Sequence, residues 1–248
     1  MSRSARIDAP RFAAAGDTVV MVVFGEAIED KINDAVLALD RALLASPPPG
    51  LVETVPAYTN LSIHFDPLVT DHAAVERHVR ALTTATAEAA PATARRWRLP
   101  VCYGGEHGID LEALAARHGL SAQAVIDRHT GRDHRIYMLG FMPGFAFMGG
   151  LDPDLATERL ADPRPRVPAG SVGIGGAQTG VFSVAAPSGW HLLGRTPVRT
   201  YDTRLAHPFL FAPGDRVRFT AIGEAEYRDL CGQVEAGERI VEPEQVRP

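Results

Sequence analysis

Lysine is almost absent from this chain: Lys31 is the one lysine among 25 lysines and arginines in 248 residues. A phosphate-loop lysine, a Schiff-base lysine or a lysine general base must therefore be Lys31 or come from another polypeptide. Lys31 falls in a periodic helical segment beside Glu29 and Asp30, the setting of a solvated surface charge. Cysteine is scarce as well. Cys102 and Cys231 are far apart and form no CxxC pair, so reduced thiols and a cytoplasmic location are expected. No apolar run is long enough to span a bilayer, and the opening MSRSARIDAPRF lacks the apolar core of a signal peptide, so no membrane association is expected. The net charge of −5 gives no general pull toward nucleic acid. No HExxH or zinc-type Cys/His cluster is present. His129, Asp133 and His134 offer only a weak convergence of ligands, and no metal site is expected in this chain.

Between Leu139 and Thr196, by contrast, glycine, proline and aromatics are dense. Glycine and proline cost roughly 1 and 3 kcal/mol inside a helix, so short strands between tight turns are expected here. Ser171–Ile174 and Val181–Ala185 are such apolar pieces.

The first ~95 residues alternate strand and helix signals at ordinary element lengths. Thr18–Phe24 is β-rich, and Ile28, Ile32, Val36, Leu39 and Leu43 then recur at helical spacing. Leu51–Ala57 and Asn60–Phe65 read as strands, and Leu61, Ile63 and Phe65 alternate toward one buried face. Asp71 can cap a helix carrying Val75, Val79 and Leu82. Arg96–Cys102 reads as a last strand, with Trp97, Leu99 and Val101 on one face. The order β-α-β-β-α-β is the split βαβ, or ferredoxin-like, arrangement. After it, Asp110 and Ser121 can cap two short helices, and short strands follow to Arg216–Ile222. These suggest a barrel or sandwich with its ends plugged by helices. The charged tail after Glu224 reads as peripheral.

Gly175–Gly180 has the GxxxxG half of a phosphate loop, but Val181 and Phe182 stand where Lys and Ser/Thr belong, which excludes a Walker A site. Gly170–Gly173 lacks the spacing of a nucleophile elbow. His129, at a helix end, is either a general acid/base or a C-terminal helix cap. Arg164 and Arg166 flank Pro165 in extended backbone; Arg166 suits an anion, while Arg164 reads as a surface charge. Gln178 and Thr179 in a glycine-bracketed turn can face a ligand or simply hold the turn. Phe141, Phe145 and Phe147 around Pro143-Gly144 either wall a pocket or belong to the core.

VCYGGEHGIDL (Val101–Leu111), LGFMPGFAFMGGL (Leu139–Leu151), PRPRVPAGSVGIGGAQTGVF (Pro163–Phe182) and GWHLLGRTPVRTYD (Gly189–Asp202) together resemble the B-subunit family of bacterial 5-oxoprolinase. The same family includes the sensor-kinase-inhibitor type and the first half of the urea carboxylase carboxyltransferase region. The resemblance departs at Ile109, at Ala146-Phe147 and at Ser188, and Phe147 cannot supply the tyrosine hydroxyl usual there. It implies an α+β chain: an N-terminal ferredoxin-like α/β sandwich domain, residues 1–95, and a C-terminal cyclophilin-like β-barrel, residues 96–248. It also implies partners, namely a C-type and an A-type 5-oxoprolinase subunit, with ATP shared between this chain and its partner. The implied activity is ATP-dependent opening of 5-oxo-L-proline to L-glutamate. A kinase-binding regulator and the acceptor half of a biotin-dependent carboxyltransferase are the alternatives. Carried over residue by residue, Arg166 would hold an anionic group, and Gln178, Thr179 and Ser171 would hydrogen-bond the substrate. His129 would shuttle or orient a proton, and Tyr137 and Arg195 would support the wall that Phe141, Pro143 and Gly144 line.

Overall fold

A computed structural model describes residues 9–86 and 94–246. The opening MSRSARIDAPRF, on which the expectation about a signal peptide rests, lies in part outside that range. The backbone divides into two units between residues 92 and 93.

The first unit is a four-stranded antiparallel sheet with two helices. Its elements are β1 (Arg11–Ala14), β2 (Val19–Val23), α1 (Asp30–Ala45), β3 (Leu51–Pro56), β4 (Asn60–Phe65) and α2 (His72–Thr86). The sheet order is β1-β2-β4-β3, so β4 lies between β2 and β3, which α1 connects as a split βαβ. Leu61, Ile63 and Phe65 are buried against Val36, Leu39 and Leu43, as their periodicities require. Asp71 caps α2 through a 2.7 Å bond from the Ala74 amide. Ile28 precedes α1 and is exposed, and the buried Asn33 instead holds the β3–β4 turn by donating to the Ala57 carbonyl.

The fourth strand of this sheet corrects the expected arrangement. Its edge is the N-terminal strand β1, paired with β2. The strand expected there, β5 (Ala94–Tyr103), belongs to the second unit. Trp97, Leu99 and Val101 do share a buried face, but the core they enter is that of a barrel.

The second unit continues with α3 (Leu111–Arg117), α4 (Ala122–Thr130), β6 (His134–Leu139), β7 (Ala146–Gly149), β8 (Arg164–Val167), β9 (Ser171–Gly175) and β10 (Gln178–Val181). It ends with β11 (Ala186–Ser188), β12 (His191–Arg195), β13 (Arg216–Ile222), α5 (Glu224–Glu235) and β14 (Pro243–Val246). Seven strands run in the order β12-β9-β10-β7-β6-β13-β5, and pairing of β12 with β5 closes the barrel. One edge of β5 is covered by β13 in parallel. The other is shared between β12 at its C-terminal end and β14 at its N-terminal end. The tail after Glu224 is therefore structural: α5 buries Tyr227 and Val234, and β14 extends the sheet. Leu111, Leu114 and Val125 of α3 and α4 pack on Ile174 and Leu193, as expected of helices that plug a barrel end. Ser121 caps α4 by accepting from the Ala124 amide. Asp110 makes no such cap; its carboxylate instead accepts from the Leu192 amide and from Arg164.

Candidate functional site

The register of the β9–β10 hairpin decides how the candidate residues are distributed. Gln178 pairs with Gly175 across the two-residue turn Gly176-Ala177, where Gly176 takes the left-handed φ of +65° that such turns favour. Gln178 and Thr179 thus start β10 rather than sitting in the turn. Ser171 lies at the other end of β9, about 13 Å away at the usual rise per residue, and pairs with Arg195. The expected single cradle therefore separates. Ser171, Arg195 and the β6–β7 loop with Phe141, Pro143 and Gly144 share one rim; Gln178 is at the opposite one.

His129 and Thr179 are fully buried near the helix-plugged end. The Thr179 hydroxyl lies 3.0 Å from the Gly173 carbonyl, to which it must donate, and 2.8 Å from His129 Nε2. Having given its own proton to Gly173, it accepts from Nε2–H. His129 Nδ1 is then the acceptor for the Tyr103 hydroxyl at 2.7 Å. The ring also stacks on Phe219 at 4.6 Å. Burial, reinforced by nearby His134, holds the His129 pKa well below the ordinary histidine value. His129 is thus a neutral imidazole with both nitrogens occupied, and neither the shuttle nor the helix-cap reading matches this placement. Nor do His129, Asp133 and His134 converge on an ion. Asp133 is clamped by Arg96 and Arg218, and His134 Nε2 donates to the His129 carbonyl at 2.8 Å. Thr179→Val leaves the buried Nε2–H without an acceptor and is expected to cost about 1–3 kcal/mol in urea denaturation. An unchanged midpoint and slope would refute this order of donors and acceptors.

The Ser171 rim carries the open features. Phe141 is 70% exposed and sits at φ +66°, in the left-handed region a bulky side chain rarely adopts. Gly144 follows at φ +74°, and a Cβ there would lie 2.7 Å from Tyr201 Cβ. The Tyr201 ring lies against half-exposed Phe209 with centroids 5.3 Å apart. Phe145, by contrast, is core, packed against Phe182 and Trp190. Tyr137 is also buried, against Gly149, and is a packing residue rather than an exposed wall.

Two adjoining clefts open at this rim. The smaller, about 160 Å³, is lined by Ala169, Gly170, Arg195, Arg199, Tyr227 and Cys231 among others. The larger, about 620 Å³, is lined by Arg95, Arg199, Arg204, His207, Phe209 and Arg239, with Val198 and Leu210 among its apolar residues. Most of these cations are committed. Arg95 forks onto Asp215 at 2.9 and 2.6 Å, Arg204 grips Asp202, and Arg239 is 3.3 Å from Glu242. Arg199 lines both clefts, and its ion pair with Asp202 is a loose 3.8 Å. Arg195 spends one nitrogen on the Ala169 carbonyl. Arg166 is exposed and makes no hydrogen bond or ion pair with the described residues, on a strand leading into Ala169. Arg164 is the reverse of the expected surface charge, half-buried and 2.6 Å from Asp110. Sequence reading missed Arg199, Arg204, His207 and Arg239. Arg199 lies inside the quoted Gly189–Asp202 motif, the one signal that could have found it.

Residues 10–211 match the family model for the carboxyltransferase domain, subdomains C and D. The chain is 40% identical over 222 residues to the B subunit of 5-oxoprolinase from Bacillus subtilis, covering 86% of this chain and 92% of the relative. The chain belongs to the 5-oxoprolinase B-subunit family. Among solved structures, TTHA0988 is similar at TM-score 0.74 and 41% identity over 83% of this chain, which spans 40% of that longer polypeptide. The urea carboxylase of Kluyveromyces lactis shares the fold, at TM-score 0.81 over 99% of this chain with 19% identity, matching 25% of its own length. The family match takes in the strained Phe141 loop, Arg195 and Arg199, and stops before β13, α5 and β14. In this member of the 5-oxoprolinase B-subunit family β13 nevertheless completes the barrel, α5 walls its clefts and β14 pairs with an edge of β5.

Proposed function

We propose that this chain is the B subunit of an ATP-dependent 5-oxoprolinase, working with a C-type and an A-type subunit to open 5-oxo-L-proline to L-glutamate. The observation that carries the reading is Arg199, a loosely committed guanidinium shared by two clefts in a chain of this family. A lactam is a poor electrophile. Transfer of a phosphoryl group to its carbonyl oxygen makes that oxygen a leaving group, and the intermediates are anionic throughout. Guanidinium groups fixed on strand ends suit such charge, and the larger cleft has the volume of a small-molecule site. Arg199, Arg195 and Arg166 are the anion-holding groups in this reading, Ser171 a neighbouring polar group, and His129 and Thr179 position β9 and β10 from beneath. Gln178, at the opposite rim, is not assigned to the substrate. With Lys31 the one lysine in the sequence, a phosphate-binding lysine of the ATP site comes from the partner subunit in this reading.

The test is ATP-dependent glutamate formation by the co-expressed complex. Arg199→Ala is expected to lower kcat/KM by about 10- to 100-fold, the range for loss of one charged hydrogen bond, without dissociating the complex. Near-normal turnover would remove Arg199 from the site. Turnover of 5-oxoproline by this chain alone would overturn the shared ATP site.

A further inference from the structure

One cluster of ligating side chains takes no part in the proposed reaction. Cys102 is at the C-terminal end of β5, His107 lies in the loop that follows, and Glu224 opens α5. We propose that Cys102, His107 and Glu224 form a binding site for a divalent transition-metal ion of the zinc type, with one coordination position open to solvent. This revises the expectation that the chain has no metal site, which rested on ligand spacing along the sequence.

The geometry supports it closely. Glu224 Oε2 is 3.6 Å from Cys102 Sγ and 2.9 Å from His107 Nε2, and all three ligand atoms lie within 4.8 Å of one another. Tetrahedral zinc, with bonds of about 2.3 Å to sulfur and about 2.1 Å to nitrogen and oxygen, requires sulfur–oxygen and nitrogen–oxygen edges of about 3.6 and 3.4 Å. The two edges to Glu224 are therefore within about half an ångström of those required, an adjustment for the half-exposed Glu224, and the Cys102–His107 edge, within 4.8 Å, is to meet the same sulfur–nitrogen requirement of about 3.6 Å. Glu106, largely exposed, brings its carboxylate within 3.9 Å of the same His107 nitrogen and so borders the solvent-facing fourth position. One thiolate and one imidazole select zinc or cobalt over magnesium or calcium.

The backbone holds the two buried ligands rigidly. Cys102 is held by ladder pairing to Arg195 on one edge and Ile222 on the other. The His107 and Gly108 amides both donate to the Gly104 carbonyl. His107 is nine-tenths buried, and its Nδ1 has no hydrogen-bond partner among the described residues. Its ring is engaged by polar groups only through Nε2, the atom that faces the cluster.

Metal binding has a definite proton balance. Without metal, the Cys102 thiol and His107 Nε2–H both donate to the one Glu224 oxygen. On binding, the imidazole proton moves from Nε2 to Nδ1 and stays on the ring. The thiol proton leaves to solvent. A cysteine thiol is ordinarily protonated at neutral pH, so the metal must displace its proton and apparent affinity should rise about tenfold per pH unit near neutrality.

The test titrates the metal-free full chain with zinc chloride and cobalt chloride. The expected result is one equivalent of either ion, with a thiolate-to-cobalt charge-transfer band in the near ultraviolet. Cys102→Ser should abolish that band, and Glu224→Gln, at the solvent side, should weaken zinc binding at least tenfold. Absence of the band in the unmodified chain, its survival in Cys102→Ser, or zinc binding unchanged by both variants (an adventitious ion only) would overturn the proposal. If Cys102→Ser fails to fold, Glu224→Gln and the pH slope decide: unaltered affinity or a flat slope refutes the site.

Discussion

Gly108→Ala is expected to destabilise the barrel unit by about 4 kcal/mol or more. A Cβ at this position would lie 1.9 Å from the Leu193 carbonyl oxygen, 2.3 Å from its carbon and 2.6 Å from the Gly104 nitrogen. All three are backbone atoms, so no side chain can rotate out of the way. Relief requires separating the β5–α3 loop from β12, which breaks the bonds from the Gly104 amide to Leu193 and from the Asp110 amide to Leu192. Overpacking alone costs about 1–3 kcal/mol, and each lost hydrogen bond adds about 1 kcal/mol. That sum is a large part of the 5–15 kcal/mol typical of a domain. Gly105→Ala is the control: its φ of +52° carries a conformational penalty, but nothing lies within 4 Å of the added methyl group. Urea denaturation of both variants checks this. A loss below about 1 kcal/mol in Gly108→Ala would mean that the loop does not pack as described.

The second large effect is acid lability. Burial holds His134 down to about 4 and His129 well below its ordinary value, whereas both return to about 6.5 when unfolded. The unfolded chain therefore binds more protons between those values. The stability these neutral rings contribute is complete above pH 6.5 and is lost as pH falls toward 4, where protonation favours unfolding. For His134 alone the span amounts to about 3 kcal/mol, and His129 acts in the same direction. Thermal melts from pH 7.5 to 4.5 should show a steep fall in Tm that is smaller in His134→Gln. A flat profile would show that the rings are not buried neutral in solution.

Periodicity located the elements well wherever one face is buried. Leu61, Ile63 and Phe65, the Asp71 and Ser121 caps, and the strand Arg216–Ile222 are as the sequence reading places them. What alternation cannot reveal is which sheet a strand joins. Trp97, Leu99 and Val101 announce a buried face, yet nothing local distinguishes the core of a four-stranded sheet from that of a barrel. The same limit scattered the candidate site. Ser171 and Gln178 are seven residues apart in sequence, but the turn at Gly176-Ala177 carries them to opposite ends of one hairpin. Arg199 went unremarked because its value depends on which carboxylates its neighbours occupy, and those contacts exist only in the folded chain. The Cys102, His107 and Glu224 cluster was equally illegible, since Glu224 follows His107 by 117 residues and no spacing rule reaches that far.

The pairing of β14 with β5 has a consequence for how such a barrel is deployed. Val246 lies opposite Ala94, so the first and last described residues of this unit are neighbours about 5 Å apart on one sheet edge. A module whose two attachment points nearly touch can be spliced into a larger polypeptide as a loop would be, leaving its host uninterrupted.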